Sequence, residues 1–140
     1  VAVALDMAGV TDVLVNAGGD LRHVGPRPVR VSIEDPAAPG GPPLEVVELG
    51  TGALATSGDA HRGFSVGGRR HGHVLDPRTG WPVEGRPSTS VRASDAMTAD
   101  VLATVAGVLT WDEAGPLLES LPDVAALVVL ATGVHRTASW

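Results

Sequence analysis

Apolar positions along the chain fall into short clusters cut apart by glycine and proline, and helical spacing is sustained only in the last third. Asp12 to Asn16 is a β-branched run that ends in Ala17-Gly-Gly-Asp20, where two glycines permit a tight reversal or a close approach of backbone to a ligand. Val29 to Ile33 alternates apolar and polar residues. The segment after it, residues 36–43, has four prolines in eight positions and cannot continue a ladder, so it reads as a surface loop. Leu44 to Leu49 and Ala53 to Thr56 are predicted strands separated by Gly50-Thr-Gly52, and the simplest pairing joins them as a hairpin. Gly67-Gly68 and Thr79-Gly80 flank a strand predicted over His71 to Leu75, and Ser88 to Ala93 is a further alternating strand.

From Ser94 the period changes. Ser94 and Asp95 offer N-cap side chains to a stretch in which Met97, Val101, Leu102, Val105, Val108 and Leu109 recur at helical spacing. A second helix is predicted from Asp112 or Glu113 to Leu121, stopped by Pro122, followed by a buried strand at Ala125 to Leu130 with Val134 to Thr137 as its hairpin partner. Val1 to Gly9 reads as the last turns of a helix closed by glycine, which predicts that the helix begins upstream and that the chain is part of something longer. Strands first and helices later predict an α+β fold, a mostly antiparallel sheet packed with helices, in one domain over residues 1–140. A doubly wound nucleotide-binding fold is the alternative, disfavoured because strict βαβ alternation is missing.

Composition narrows the chemistry. Ten basic residues stand against sixteen acidic ones, for a formal charge of −6, with no cluster of arginines and aromatics suited to tracking phosphates, so nucleic-acid binding is not expected. All ten basic residues are arginine, which removes lysine nucleophiles and Schiff bases from consideration. There is no cysteine, hence no disulfide and no thiolate, and this leaves the redox compartment open. The longest apolar run, Val124 to Ala131, falls far short of the roughly 20 residues a transmembrane helix needs.

Asp100 and Thr104 lie four apart in the predicted helix and so project from the same face, one turn from each other. Carboxylate and hydroxyl oxygens are hard donors suited to Mg²⁺, which fills its remaining positions with water and substrate phosphate. Taken alone, this spacing equally describes the polar edge of an amphipathic helix. His73-Val-Leu-Asp-Pro-Arg-Thr-Gly80 is the densest block of reactive side chains: the strand delivers His73 to a turn that Pro77 and Gly80 preset, where a histidine can position a phosphate or accept a proton. A plain structural turn with a hydrogen-bonded histidine is the competing reading. His71 shares the face of His73 if the strand is regular. Asn16-Ala-Gly-Gly-Asp20 and Ala55-Thr-Ser-Gly-Asp59 are glycine-containing loops whose amides can cradle anions, yet neither matches a P-loop or a dinucleotide fingerprint. His23, His61 and His135 fit no metal spacing, and Trp111 and Trp140 read as packing residues.

The blocks Leu-Val-Asn-Ala-Gly-Gly-Asp (14–20), Ala-Thr-Ser-Gly-Asp (55–59), His-Val-Leu-Asp-Pro-Arg-Thr-Gly (73–80) and Ala-Asp-Val-Leu-Ala-Thr (99–104), in this order, resemble the ApbE family of FAD:protein FMN transferases. The resemblance runs from about Val1 to about Thr137 and corresponds to the C-terminal portion of that family. It implies a Mg²⁺-dependent reaction in which FAD is the substrate, FMN passes to a Thr or Ser hydroxyl of an acceptor flavoprotein, and AMP is released. It further implies that Asp100 and Thr104 bind the metal, that His73, Val74, Leu75 and Asp76 line the FAD site, that Ser57 and Gly58 touch the nucleotide, and that His73 orients the pyrophosphate or assists proton transfer.

Family members carry further chain ahead of the point that matches Val1, including an Ala-Lys-Gly block that gives a lysine to FAD and a backbone carbonyl to the metal. Without that block these residues are expected to bind FAD poorly on their own, and the alternative function is a flavin-binding module or inactive truncated remnant without turnover. Kinship alone suggests an extracytoplasmic or membrane-anchored location.

Overall fold

A computed structural model describes residues 9–59, 63–85 and 88–140. The helix end expected over Val1 to Gly9 falls, except for Gly9 itself, outside the described residues, as does His61. The β-branched run after Asp12 forms β1 (Val13–Ala17), which pairs antiparallel with β2 (Asp20–Val24) across Gly18 and Gly19. Both glycines have positive φ, 69° and 107°, as a two-residue reversal demands, and Asn16 Oδ1 accepts from the Gly19 amide at 3.0 Å. β2 escapes sequence reasoning because Asp-Leu-Arg-His-Val is polar at three of its five positions, although Leu21 and His23 point inward together.

The chain continues through β3 (Val29–Ile33), β4 (Glu45–Leu49), β5 (Gly52–Ser57), β6 (Gly63–Val66), β7 (Arg69–Gly72) and β8 (Ser88–Ala93), then helices α1 (Ala96–Val108) and α2 (Trp111–Glu119), and ends in the hairpin β9 (Ala125–Leu130) and β10 (Gly133–Arg136). Six strands form one antiparallel sheet in the order β1-β2-β5-β8-β9-β10, while β3-β4 and β6-β7 are separate two-stranded ribbons. The α+β class with a mostly antiparallel sheet is thus the observed one.

Two sequence expectations are corrected. β4 and β5 are not a hairpin: β4 pairs with β3, and both edges of β5 are taken by β2 and β8. The linker between them crosses from one layer to the other, caught by β2 and its end. His23 Nδ1 lies 3.0 Å from the Gly50 carbonyl, and the Thr51 hydroxyl donates to the Gly25 carbonyl at 2.9 Å. The strand expected over His71 to Leu75 ends at Gly72, because Gly67-Gly68 turns β6 into β7 and leaves His73 to Leu75 outside the ribbon. His71 therefore stacks on Phe64, ring centroids 5.7 Å apart, rather than accompanying His73.

Alternation along β5 explains the layers. Ala53 and Ala55 face α1 and α2 in a cluster with Val91, Ala99, Ala103, Ala106, Ala114, Leu118 and Ala126, whereas Leu54 faces Leu21, Ile33, Val47 and Leu49 under the β3-β4 ribbon. The alanine stripe at 99, 103 and 106 lets α1 lie close against β5 and β8. Asp95 caps α1, accepting from the Thr98 amide at 2.9 Å, as the N-cap signal predicts. α2 begins one residue earlier than the acidic pair suggests because Glu113 reaches back to the Thr110 amide and hydroxyl, both at 2.8 Å, and it ends at Glu119, ahead of Pro122. Trp111 and Trp140 do serve packing. Trp111 stacks on His135, while Trp140 joins the ribbon cluster, donates to Glu45 at 2.9 Å and carries Arg92 over its ring.

The helix-to-sheet contact predicts that Ala103→Leu overpacks the interface and costs about 1–3 kcal/mol, read as a lower urea midpoint with an unchanged slope. Arg27 and then His23 hold the Asp12 carboxyl below its ordinary range, Arg136 holds Glu45 down, and the Thr98 amide and hydroxyl hold Asp95 down. A carboxyl more acidic in the folded than in the unfolded chain stabilises above the unfolded value and ceases to do so as pH falls through the folded one. Thermal stability is therefore expected to be level from neutral pH to about pH 5 and to drop progressively below about pH 4, as followed by melting curves. A midpoint that rises on acidification contradicts these assignments.

Candidate functional site

At one end of the six-stranded sheet the β1-β2 turn, the exit of β5, the start of β8 and the face of α1 surround a cleft of about 530 Å³. Antiparallel pairing makes this convergence unavoidable: Ala17↔Asp20 closes β1-β2, and Ser57↔Thr89 is the last pair between β5 and β8, so all these chain ends meet at the same edge. Thr56 Oγ1 and Ser90 Oγ lie 2.8 Å apart and tie the two strands side chain to side chain just beneath the rim. The opposite wall is closed by Ser32 of β3 and by Glu34 and Pro36 of the segment that follows it.

Among the residues singled out in the sequence, Ser57, Gly58, His73, Asp100 and Thr104 all line this one cleft. Asp100 and Thr104 reach it from α1, one turn apart, both exposed. The donor set of one carboxylate and one hydroxyl suits a hard cation such as Mg²⁺. Among the described residues no cluster of three or more His, Cys, Asp or Glu side chains could hold a metal, so such an ion would draw its remaining ligands from water and substrate. Asp20, Glu34 and Asp100 are carboxylates in the lining, and no arginine is among its described residues.

Val74, Leu75 and Asp76 are not in that lining. Asp76 is spent on its turn: Oδ1 accepts the Arg78 amide at 2.9 Å, its carboxylate takes the Arg78 guanidinium on both oxygens, and its carbonyl accepts from Gly80 at 2.7 Å. The Arg78 guanidinium, helped by the Arg78 amide, holds the Asp76 carboxyl below the usual carboxylate range. Leu75 bridges Pro82, and Val83 N–H donates to the Val74 carbonyl at 2.9 Å, so the whole Asp-Pro-Arg-Thr-Gly block is a rigid loop that ends beside His73. His73 sits half exposed at the rim, its Nδ1 3.8 Å from Asp59 Oδ1.

Sequence reasoning missed the ribbon's share of the site. The proline-rich segment read as a surface loop contributes Pro36, Glu34 follows directly on β3, and β3 itself supplies Ser32 together with Val31 and Ile33, which also belong to the ribbon cluster. The period-2 alternation of Val29 to Ile33 shows that a polar face exists, but not which surface it meets. Asn16, Gly18, Gly19 and Asp20, from the first of the glycine-containing loops, lie directly in the lining.

The family model described as the ApbE family matches residues 1–128. The chain is 34% identical over 137 residues to an FAD:protein FMN transferase of Vibrio cholerae serotype O1, covering 94% of this chain and 41% of that protein. It is 41% identical over 114 residues to an FAD:protein FMN transferase of Rhodobacter capsulatus, covering 76% and 21% respectively. Its fold superimposes on the crystal structure of the ApbE protein from Thermotoga maritima with a TM-score of 0.87 at 35% identity, over 99% of this chain and 46% of that one. The apo flavinyl transferase ApbE of Pseudomonas stutzeri gives a TM-score of 0.74 at 33% identity, over 97% and 44%. The chain thus spans less than half the length of these relatives. By a family match over most of its length and a shared fold around the same strands and helices, the chain belongs to the ApbE family.

Proposed function

We propose that this chain forms the metal-facing and nucleotide-facing part of an FAD:protein FMN transferase, with FAD as the donor and a Thr or Ser hydroxyl of a flavoprotein as the acceptor. The observation that carries the reading is the meeting of Asp100, Thr104, His73, Ser57 and Gly58 in one cleft of about 530 Å³, within the range of small-molecule sites, about 300–1,000 Å³. The names of the relatives support the reaction class.

The chemistry is a phosphoryl transfer. The acceptor oxygen attacks the phosphorus of the FMN half, a new P–O bond forms, the bond from that phosphorus to the bridging oxygen breaks, and its electron pair leaves on AMP. His73, at the rim, takes the proton that the hydroxyl loses. Asp100 and Thr104 would hold Mg²⁺, which when bound supplies charge neutralisation at the pyrophosphate. Ser57, the last paired residue of β5, and Gly58, just beyond it, border the cleft, where their N–H groups would donate to the nucleotide.

Fluorescence titration of FAD is expected to show binding tightened by Mg²⁺ and weakened again by a chelator. Asp100→Asn should remove at least a tenfold share of that Mg²⁺ effect while shifting the melting temperature by no more than about 2 °C, since the residue is exposed. Mg²⁺ dependence unchanged in Asp100→Asn refutes the metal assignment. Incubation with FAD, Mg²⁺ and an acceptor flavoprotein domain is expected to raise the acceptor's mass by one FMN and to release AMP. FAD binding without transfer replaces the transferase reading with that of a flavin-binding module.

A further inference from the structure

Beside the rim of the cleft, Asp59 and His73 come from two segments that share no strand pairing. Asp59 continues the chain two residues past the last paired position of β5, and His73 follows directly on the last residue of β7. They are brought together at Gly72. A Cβ at that position would overlap the Asp59 carboxylate, so the carboxylate lies flat against bare backbone. From there its Oδ1 faces His73 Nδ1 at 3.8 Å, with the Asp59 side chain 24% and the His73 side chain 39% exposed. That distance is an electrostatic contact, about 0.9 Å longer than a direct N–H···O bond, and shortening of this size is common when a substrate completes a site.

We propose that Asp59 is a positioning residue that holds neutral His73 as its Nδ1–H tautomer. An ionised carboxylate can only accept hydrogen bonds, so its charge beside Nδ1 favours the tautomer that carries the hydrogen there. The lone pair then resides on Nε2. Free neutral histidine in water favours the opposite, Nε2–H, form, and Asp59 reverses that preference by charge and placement. The consequence for catalysis rests on the transferase reading above: Nε2 takes the proton of the acceptor hydroxyl as its oxygen bonds to phosphorus, and the imidazolium so formed is stabilised by the Asp59 carboxylate beside Nδ1. Gly72 is part of the device, because any side chain there would push the carboxylate from the place where it faces the ring.

The tautomer is read by nitrogen chemical shifts of ¹⁵N-histidine-labelled protein at alkaline pH, with the His73 signals assigned by their loss in His73→Gln. Nδ1 is expected at the protonated and Nε2 at the unprotonated shift. Asp59→Asn keeps the shape and packing against Gly72 but can turn an amide N–H toward the ring, and is expected to return His73 to the Nε2–H form. Gly72→Ala, which leaves Asp59 in the chain but displaces it, should do the same. An Nε2–H signal in the unaltered protein, or an Nδ1–H signal that survives Asp59→Asn, overturns the proposal. In the FMN-transfer assay Asp59→Asn is expected to lower kcat by about 10²-fold with KM for FAD nearly unchanged. Equal transfer rates in the presence of the altered tautomer overturn the catalytic half of the proposal. Absence of transfer in the unaltered protein, with the Nδ1–H signal present, counts against the transferase reading and leaves Asp59's hold on the tautomer standing.

Discussion

The close seating of α1 on the sheet is the constraint from which the site follows. Ala99, Ala103 and Ala106 present almost no side chain to Ala53, Ala55, Val91 and Ala93, so helix and sheet approach until backbone packs nearly on backbone. Each contact is small, and burial of a methyl group contributes little alone, but interiors at crystal-like density respond to every added methylene. That closeness fixes both the depth and the rotation of α1. Because residues at i and i+4 share a face, a helix held by 99, 103 and 106 turns 100 and 104 along the adjacent stripe, toward the open end of the sheet.

The second layer has the opposite character. Leu54, Leu21, Ile33, Val47 and Leu49 are large, and they hold a two-stranded ribbon that would be marginal by itself. Glu45, paired with Ile33 at the cleft end of the ribbon, is held by Arg136 at 2.7 Å and Trp140 at 2.9 Å, so the C-terminal residues brace the ribbon that walls the cleft. One strand, β5, thereby serves two chemistries on its two faces, alanines toward the helices and a leucine toward the ribbon, and releases Ser57 and Gly58 into the site where its pairing stops.

The electrostatics of the cleft are as telling as its shape. Asp20, Glu34 and Asp100 place carboxylates in its lining, and Asp100 with the Thr104 hydroxyl one turn on makes a hard-donor pair on α1. The loop from Asp76 to Gly80 takes no direct part in the lining, and its carboxylate is bound to Arg78.

Much of this was legible in the residues. Alternation located β3 and β8, β-branched and apolar runs located β1, β5 and β9, the Asp95 cap and helical spacing located α1, and each of the four ordered blocks contains residues of the cleft lining, though Val74, Leu75 and Asp76 are not among them. These signals are local: they depend on side-chain direction within one element, which the chain determines a few residues at a time. Partner choice was not local. Nothing between Leu44 and Thr56 states that β4 turns back to β3 while β5 inserts between β2 and β8, and nothing in the proline-rich segment states that it borders a binding site. Those decisions belong to the competition of whole apolar faces for cover, alanine against alanine and leucine against isoleucine, which exists only once the layers are stacked. The meeting of Asp59 with His73 across Gly72 is of the same kind, a contact between two chain segments that the tertiary structure alone brings within reach.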